Sequence, residues 1–159
     1  EQCSDYEKAR KGIITYGYMP DENMKNSIGL KPATKLISHV VYVKEVEEGT
    51  AISYSRTYIA DKRRKIATVP LGYADGIRRT LSNKGKIYIN GKYAPIVGNV
   101  CMDNFMIDVT GIDVKVGDAV YIWDNENISV EDIAKLCGTI NYEILCSISS
   151  RVKRIYVEE

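Results

Sequence analysis

The dipeptide Asn90-Gly91 joins two short segments that favour β-strands, and it limits the possible folds more than any other feature of the sequence. The flanking segments are 86–89 and 92–97, and an Asn-Gly pair between such runs is the strongest short signal of a two-residue hairpin. Alternation and β-branched residues predict six further strands, at 36–46, 51–60, 65–71, 105–109, 119–123 and 151–157. The sequence therefore predicts a mainly β fold, a compact antiparallel barrel or sandwich.

One short helix is predicted, over residues 129–137. Ser129 is a favourable N-cap, Asp132 occupies the acidic N3 position, and Gly138 follows the last apolar residues as a terminator. We expect this helix to cover one end of the barrel. The first 20 or so residues are more typical of the end of a preceding unit than of a member of the barrel.

Length and charge exclude several classes of protein. The chain has 159 residues, enough for one domain with a short appendage, and its 22 basic and 21 acidic residues give a net charge of +1. That balance provides no global attraction to nucleic acid or to an acidic membrane. No apolar run approaches the roughly 20 residues that span a bilayer. The N-terminus lacks the apolar stretch of a signal peptide, and the four cysteines show no paired spacing. Both observations favour a cytoplasmic protein with reduced thiols.

Most common catalytic motifs are absent. There is one histidine, His39, and no C-x-x-C pair, so no metal site is predicted. No G-x-S-x-G elbow occurs, and the S-x-x-K match at 150–153 precedes a predicted strand rather than lying on a helix. The basic segments 61–65 and 78–79, together with the tyrosines, leave a small nucleic-acid-binding barrel as an alternative, although solvated turns are the favoured interpretation.

The tyrosines are the remaining candidates for function. The sequence contains 12 Tyr but only 1 Phe and 1 Trp. Tyr54, Tyr73 and Tyr142 lie in turn-like contexts that present a side chain rather than bury it. Periodicity alone would favour a structural role for each of them.

Four motifs resemble, in order and spacing, the C-terminal domain of the pyridoxal-phosphate-dependent alanine racemase family. They are ISY at 52–54, VPLGYADG at 69–76, PIVGNVCMD at 95–103 and TINYE at 139–143. Upstream, residues 10–13 and 16–17 resemble that family's R-P-G-I segment, the last strand of its N-terminal (β/α)8 barrel, with Lys11 in place of proline. The resemblance implies that residues 1–29 are a barrel remnant with a connector and that residues 30–159 are the C-terminal β-domain.

The resemblance also implies a function. It points to the last two-fifths of a racemase that interconverts L- and D-alanine for peptidoglycan precursors, acting on a small amino acid as a homodimer. The strand that carries the cofactor-bonded lysine belongs to the missing N-terminal barrel, so we expect the isolated chain to be inactive. We expect no nucleic-acid partner and no membrane contact by this chain. The expected location is the cytoplasm, or the cytoplasmic side of a membrane-anchored parent.

Site residues follow from the same resemblance. Tyr54 matches the tyrosine that serves as acid or base from the partner subunit, and a tyrosine needs a neighbouring donor or cation to act as a base. Tyr142 matches the ligand of the cofactor phosphate, together with the backbone amides of Gly12 and Ile13, and Arg10 matches the arginine facing the pyridine nitrogen. Met102 matches the position whose backbone amide binds the substrate carboxylate. The residues that match the family's entrance are Tyr73, Arg79, Asn99, Asp103 and Ile140. At the position of Asn99 many family members have arginine.

Three alternatives remain open at this stage. A serine/alanine racemase of the glycopeptide-resistance type would share these motifs and prefer a different substrate. A tyrosine-rich barrel that binds single-stranded nucleic acid is the second. The third is a structural remnant that dimerises and performs no chemistry.

Overall fold

A computed structural model describes residues 12–20 and 29–157 of the chain. The chain divides into two units, Glu1–Thr34 and Lys35–Glu159. The second unit contains nine strands: β1 Leu36–His39, β2 Tyr42–Val46, β3 Ala51–Ile52, β4 Tyr58–Ile59, β5 Arg64–Val69, β6 Lys86–Ile89, β7 Lys92–Val97, β8 Phe105–Asp108 and β9 Ala119–Trp123. It also contains helices α1 Val130–Cys137 and α2 Asn141–Ser147. The division into a connector of residues 1–29 and a domain of residues 30–159 stays a prediction about independent folding.

Seven strands form one antiparallel sheet in the order β1-β9-β6-β7-β8-β5-β2, and β3 pairs with β4. The hairpin predicted at Asn90-Gly91 joins β6 to β7 and is confirmed. Strand β7 changes partner along its length: Lys92 to Pro95 pair with β6, while Ile96 and Val97 pair with β8. This change of partner lets the sheet curl.

The two edge strands of the sheet, β1 and β2, are consecutive in the chain. Only Val40 and Val41 separate them, and these two residues donate backbone hydrogen bonds to Asp118 O at 2.9 Å and Thr68 O at 3.0 Å. Because a two-residue link cannot cross a flat seven-stranded sheet, the sheet must curl until its edges approach each other. The predicted mainly β, barrel-like fold is confirmed.

The core follows the alternation that the sequence shows. Phe105 and Ile107 of β8 and Val120 and Ile122 of β9 are buried, whereas the residues between them are more exposed or polar. Phe105 is the only phenylalanine and is fully buried, so the single large hydrocarbon ring is used in the sheet core. The tyrosines are thereby left for positions where the hydroxyl can reach a partner or solvent.

Two predicted strands are each broken in the structure. The segment 36–46 bends at Val40 and Val41 because the curled sheet needs its two edges there. The segment 51–60 is interrupted by a 3-10 helix, Tyr54–Arg56, between β3 and β4. The second break carries Tyr54, one of the predicted site residues.

The two terminal strand predictions are wrong. Residues 10–13 and 16–17 were expected to belong to the last barrel strand, but Gly12–Tyr16 is a 3-10 helix closed by a hydrogen bond of 2.9 Å from Gly17 N to Ile14 O. Residues 151–157 likewise form no strand, and Tyr156 is 93% exposed.

Helix α1 confirms the predicted helix and its capping. Asp132 N donates to Ser129 Oγ at 3.0 Å, and Ser129 N donates to the Asp132 carboxylate at 3.3 Å, so both halves of the capping box are present. Gly138 ends the helix in the left-handed conformation. Helix α2 was not predicted, since its N-cap is Ile140, which has no side-chain hydrogen-bond acceptor. It packs on α1, where Asn141 Nδ2 donates to Glu131 Oε1 at 3.1 Å.

The buried carboxylate of Asp124 organises the turn before α1 and makes stability depend on pH. Burial raises its pKa, but hydrogen bonds from the Asn127 side chain and from the N–H groups of residues 126–128 outweigh burial and hold the pKa below its ordinary value of 3.8. A carboxyl whose pKa is lower in the folded state stabilises the fold above the unfolded-state pKa, and this contribution disappears as the pH falls through the folded-state pKa.

We therefore expect the free energy of unfolding in urea to fall as the pH drops from about 5 to below the ordinary carboxyl pKa of 3.8, with Asp124 responsible for part of the loss. Asp124→Asn should be less stable than the wild type near pH 6 and should lose less stability on acidification. Asp113→Asn, at an exposed aspartate, is the control and should keep the wild-type pH dependence. Identical pH profiles for the wild type and Asp124→Asn would contradict this assignment.

Candidate active-site loops

Three loops and the start of helix α2 carry all the predicted site residues of the second unit except Arg79. The loops are residues 53–57, 71–77 and 99–104. The first loop joins β3 to β4, the other two follow β5 and β7 of the curled sheet, and hydrogen bonds join each loop to at least one other. These hydrogen bonds fix the backbones of the loops relative to one another.

Tyr54 lies at the tip of the first loop with its ring 74% exposed. The backbone around it is strained: Ser53, Ser55 and Arg56 have φ values of 66°, 61° and 51°, in the left-handed region that favours glycine. Such conformations cost roughly 1–3 kcal/mol each and persist only where surrounding contacts hold them. Within the described residues, the Tyr54 hydroxyl has no hydrogen-bond partner, so it is available to an incoming group.

Asn99 lies directly behind this loop. Its side chain is 7% exposed, and its Nδ2 donates to the backbone carbonyl of Tyr54 at 2.8 Å. Ser53 Oγ in turn donates to the Asn99 carbonyl at 2.7 Å. Of the residues predicted at the entrance, Asn99 is the one that the structure joins to Tyr54.

The second and third loops are in close backbone contact. Tyr73 N donates to Cys101 O at 2.9 Å, and Ala74 N donates to Met102 O at 3.0 Å. At Gly72 a methyl group would lie 2.2 Å from Met102 O, so the glycine is required for this approach. Tyr73 and Met102 are therefore held on neighbouring segments, both with exposed side chains. The Met102 N–H has no hydrogen-bond partner among the residues that the structure describes.

Asp103 is paired with a residue that sequence reasoning missed. Arg151 places one guanidinium nitrogen 2.7 Å from Asp103 Oδ1 and its Nε 3.4 Å from Asp75 Oδ1. The buried Asp75 carboxylate also accepts the Gly72 N–H at 2.9 Å. Arg151 lies in a segment predicted as a strand, and only its charge distinguished it in the sequence.

Tyr142 and Ile140 lie at the start of α2. Tyr142 is half-buried and Ile140 is exposed. The next residue along, Glu143, anchors this helix, because Arg78 donates to its carbonyl at 3.2 Å and pairs with its carboxylate at 3.3 Å. The Tyr142 hydroxyl has no hydrogen-bond partner within residues 12–20 and 29–157.

Four other predicted positions are located as follows. Arg79 is exposed and begins the 3-10 helix Arg79–Leu81, and the structure gives its side chain no contact with the other site residues. Gly12 and Ile13 belong to the first unit, where Ile13 is buried and Gly12 begins the 3-10 helix. Arg10 lies outside the described residues.

Other kinds of site receive no support from the described part of the chain. It contains no cluster of three His, Cys, Asp or Glu residues that could hold a metal. The basic turn is occupied by ion pairs, since Arg63 contacts Glu45, and Arg64 pairs with Asp61 at 2.6 Å and Asp108 at 3.2 Å. Across these residues, no helix has the length and apolar character needed to cross a bilayer.

Comparison with known proteins agrees with this arrangement of loops on a curled sheet. Residues 33–156 match the family described as "Alanine racemase, C-terminal domain". The chain is 53% identical over 152 residues to the alanine racemase of Clostridium perfringens, covering 92% of this chain and 39% of the relative. It is 51% identical over 151 residues to that of Halothermothrix orenii, covering 92% of this chain and 40% of the relative.

Solved structures extend the comparison to the fold. The alanine racemase of Streptomyces coelicolor superposes with a TM-score of 0.88 at 36% identity, over 93% of this chain and 40% of that one. The Bacillus anthracis enzyme with bound L-Ala-P gives a TM-score of 0.87 at 41% identity, over 92% of this chain and 39% of that one. The chain spans about two-fifths of the length of these relatives. On this evidence it belongs to the alanine racemase family, of which it contains the C-terminal domain.

Proposed function

We propose that this chain is the C-terminal part of an alanine racemase that uses pyridoxal 5'-phosphate, and that Tyr54 moves a proton at one face of the substrate Cα. The observation that carries the proposal is the exposed Tyr54 side chain on a strained loop that is held from behind. An exposed ring on a mobile loop would be a poor acid or base, because catalysis needs a fixed position. Here the backbone that carries the ring is fixed.

The residues present fit the cofactor at its phosphate end. Tyr142 carries a half-buried hydroxyl without a partner in the described residues, and a phosphate oxygen would accept its hydrogen bond. We propose, from the family resemblance, that the backbone amides of Gly12 and Ile13 bind phosphate and that Arg10 faces the pyridine nitrogen. When bound, the cofactor supplies an electron sink that makes the Cα proton acidic.

Proton transfer, substrate binding and substrate entry are assigned to residues of this chain. Tyr54 gives or takes the Cα proton at its phenol oxygen, while a base from the N-terminal part of the enzyme serves the other face. The free N–H of Met102 binds the substrate carboxylate. Entry of the amino acid is controlled by an entrance set of residues, proposed to be Tyr73, Arg79, Asn99, Asp103 and Ile140.

Alanine is favoured over serine as the substrate because the relatives at about half identity carry the name alanine racemase. Family membership likewise supports a homodimer in the cytoplasm that supplies D-alanine for the cell wall. A single-stranded nucleic-acid partner is not favoured, since the basic turn is already paired with carboxylates.

A hybrid enzyme tests the proposal. This chain would replace its matching segment in the Clostridium perfringens alanine racemase, with the unaltered enzyme as control. We expect the hybrid to bind pyridoxal phosphate, to interconvert L- and D-alanine, to act more slowly on serine and to restore growth of a bacterium that requires D-alanine. A folded hybrid with bound cofactor and no racemisation would contradict the proposal.

Tyr142→Phe in this hybrid should weaken cofactor retention. The change removes one hydrogen bond to a charged phosphate, an interaction worth about 1.5–3 kcal/mol, or roughly 10- to 100-fold in affinity. Equilibrium dialysis against increasing pyridoxal phosphate measures the effect. Tyr93→Phe, whose hydroxyl bonds instead to Asn127 O at 2.9 Å, is the matched control and should keep the parent affinity. Equal affinities for Tyr142→Phe and the parent would remove Tyr142 from the phosphate site.

A further inference from the structure

The loop that carries Tyr54 is strained yet contains no glycine. Ser53, Ser55 and Arg56 all have positive φ, and without restraint a four-residue segment of this kind would relax. Relaxation would move the Tyr54 ring, because the ring direction follows from the backbone of this single turn. Something outside the loop must therefore hold it.

Polar contacts from outside the loop come from Asn99, Asn83 and Cys101, whose Sγ lies 3.4 Å from Ser53 Oγ. Asn99 Nδ2 donates to Tyr54 O at 2.8 Å, and it is the contact that reaches the tyrosine itself. Asn83 acts further along, with its Nδ2 3.2 Å from Thr57 Oγ1 and its Oδ1 accepting from Gly98 N at 2.6 Å. Asn99 also accepts a hydrogen bond from the loop, because Ser53 Oγ donates to the Asn99 backbone carbonyl.

We propose that Asn99 is the positioning residue of Tyr54. Asn99 is buried, so the donor of the hydrogen bond to the Tyr54 carbonyl is shielded from competing water, and the reciprocal bond from Ser53 closes a two-bond clamp around the tyrosine backbone. Asn99 does not touch the reacting atoms, and its effect on proton transfer is exerted through Tyr54. The two-bond clamp is a feature of the loop structure alone. Its consequence for catalysis rests on the proposed function.

A side chain with a donor is needed here. Alanine at this position would leave the Tyr54 carbonyl without its buried partner, and the loop would open more often. Ser53→Ala would remove the other half of the clamp and leave the Asn99 side chain in place. Both changes are expected to act locally, because the sheet ends that flank the loop are unchanged.

Limited trypsin digestion of the 159-residue chain tests the clamp without any need for activity. Arg56 lies in the loop and Arg63 lies in an exposed turn outside it, so cleavage after Arg56 reports loop opening and cleavage after Arg63 is the reference for a site outside the clamp. In Asn99→Ala we expect cleavage after Arg56 to rise about fivefold to tenfold, with cleavage after Arg63 unchanged. Ser53→Ala should give a smaller rise at Arg56 alone.

Asn127→Ala is the matched control, since Asn127 Nδ2 also donates one hydrogen bond within a turn, to the Asp124 carboxylate at 2.6 Å. It should leave cleavage after Arg56 at the wild-type rate. Selective acceleration at Arg56 in Asn99→Ala or Ser53→Ala supports the proposal. Unchanged cleavage in both variants, or a rise at Arg56 that never exceeds the rise at Arg63, overturns it.

The hybrid enzyme adds a catalytic test. Exchange of the Cα hydrogen for deuterium is measured separately for L- and D-alanine in heavy water. In Asn99→Ala the loss of exchange should fall on the same enantiomer that Tyr54→Phe affects, and the other enantiomer should exchange at the parent rate. Equal loss for both enantiomers overturns the positioning role. If the parent hybrid does not racemise, the proposed function fails, and the trypsin result still decides the clamp.

Discussion

Tyr54→Phe in the hybrid enzyme is expected to reduce racemisation about 10²- to 10⁴-fold in both directions, the usual range for a positioned acid or base. Both directions must suffer because each needs proton transfer at both faces of Cα, and Tyr54 serves only one. The phenylalanine ring keeps the size of the tyrosine ring, and the ring is exposed, so stability should change little. Initial rates from L-alanine and from D-alanine, measured by polarimetry, give the result.

Tyr42→Phe provides the control for this substitution. Tyr42 is an exposed tyrosine on β2, outside the three loops and α2, and its replacement should leave the rates unchanged. A loss of less than about tenfold in Tyr54→Phe would contradict its assignment as the acid or base.

Gly72→Ala is expected to lower the free energy of unfolding by about 3 kcal/mol or more, the upper end for overpacking against atoms that cannot give way. The added methyl would lie 2.2 Å from Met102 O and 2.4 Å from Cys101 O, and both are backbone atoms. One loop would have to shift, which would break the hydrogen bonds from Tyr73 N and Ala74 N. Chemical denaturation followed by tryptophan fluorescence measures the change.

Gly85→Ala is the matched control for that change. Neither glycine has a positive φ, and at Gly85 the methyl would meet only side-chain atoms, with Ile96 Cδ1 closest at 2.9 Å. Side-chain ends can move, so we expect a clearly smaller loss. If the two variants are equally stable, the close approach of the 71–77 and 99–104 loops is not as tight as the structure has it.

The features that could be predicted from the sequence are those fixed by neighbouring residues. The Asn90-Gly91 hairpin, the alternation in β8 and β9, and the Ser129–Asp132 capping box depend on residues within a few positions of one another, and each is confirmed. The turn-like contexts of Tyr54 and Tyr73 likewise indicated side chains that are presented rather than packed, and both are exposed. These local sequence patterns agree with the folded structure because no distant contact overrides the local preference.

The features that could not be predicted depend on distant contacts. Residues 51–60 have the composition of one strand, and the break at Tyr54 is held by Asn99, which lies 45 positions away in the chain. Helix α2 has no capping side chain and forms against α1. The pairing of Arg151 with Asp75 and Asp103 likewise joins segments that no local pattern connects.

The most direct test of the central claim is deuterium exchange at Cα in the Tyr54→Phe hybrid with its cofactor bound. L- and D-alanine are incubated separately in heavy water, and mass spectrometry measures the deuterium that each acquires before racemisation. If Tyr54 serves one face of Cα, one enantiomer will exchange at close to the parent rate while the other exchanges hardly at all. Equal exchange of both enantiomers, at any rate, would mean that Tyr54 is a packing residue and that the proposed role of this chain in catalysis is wrong.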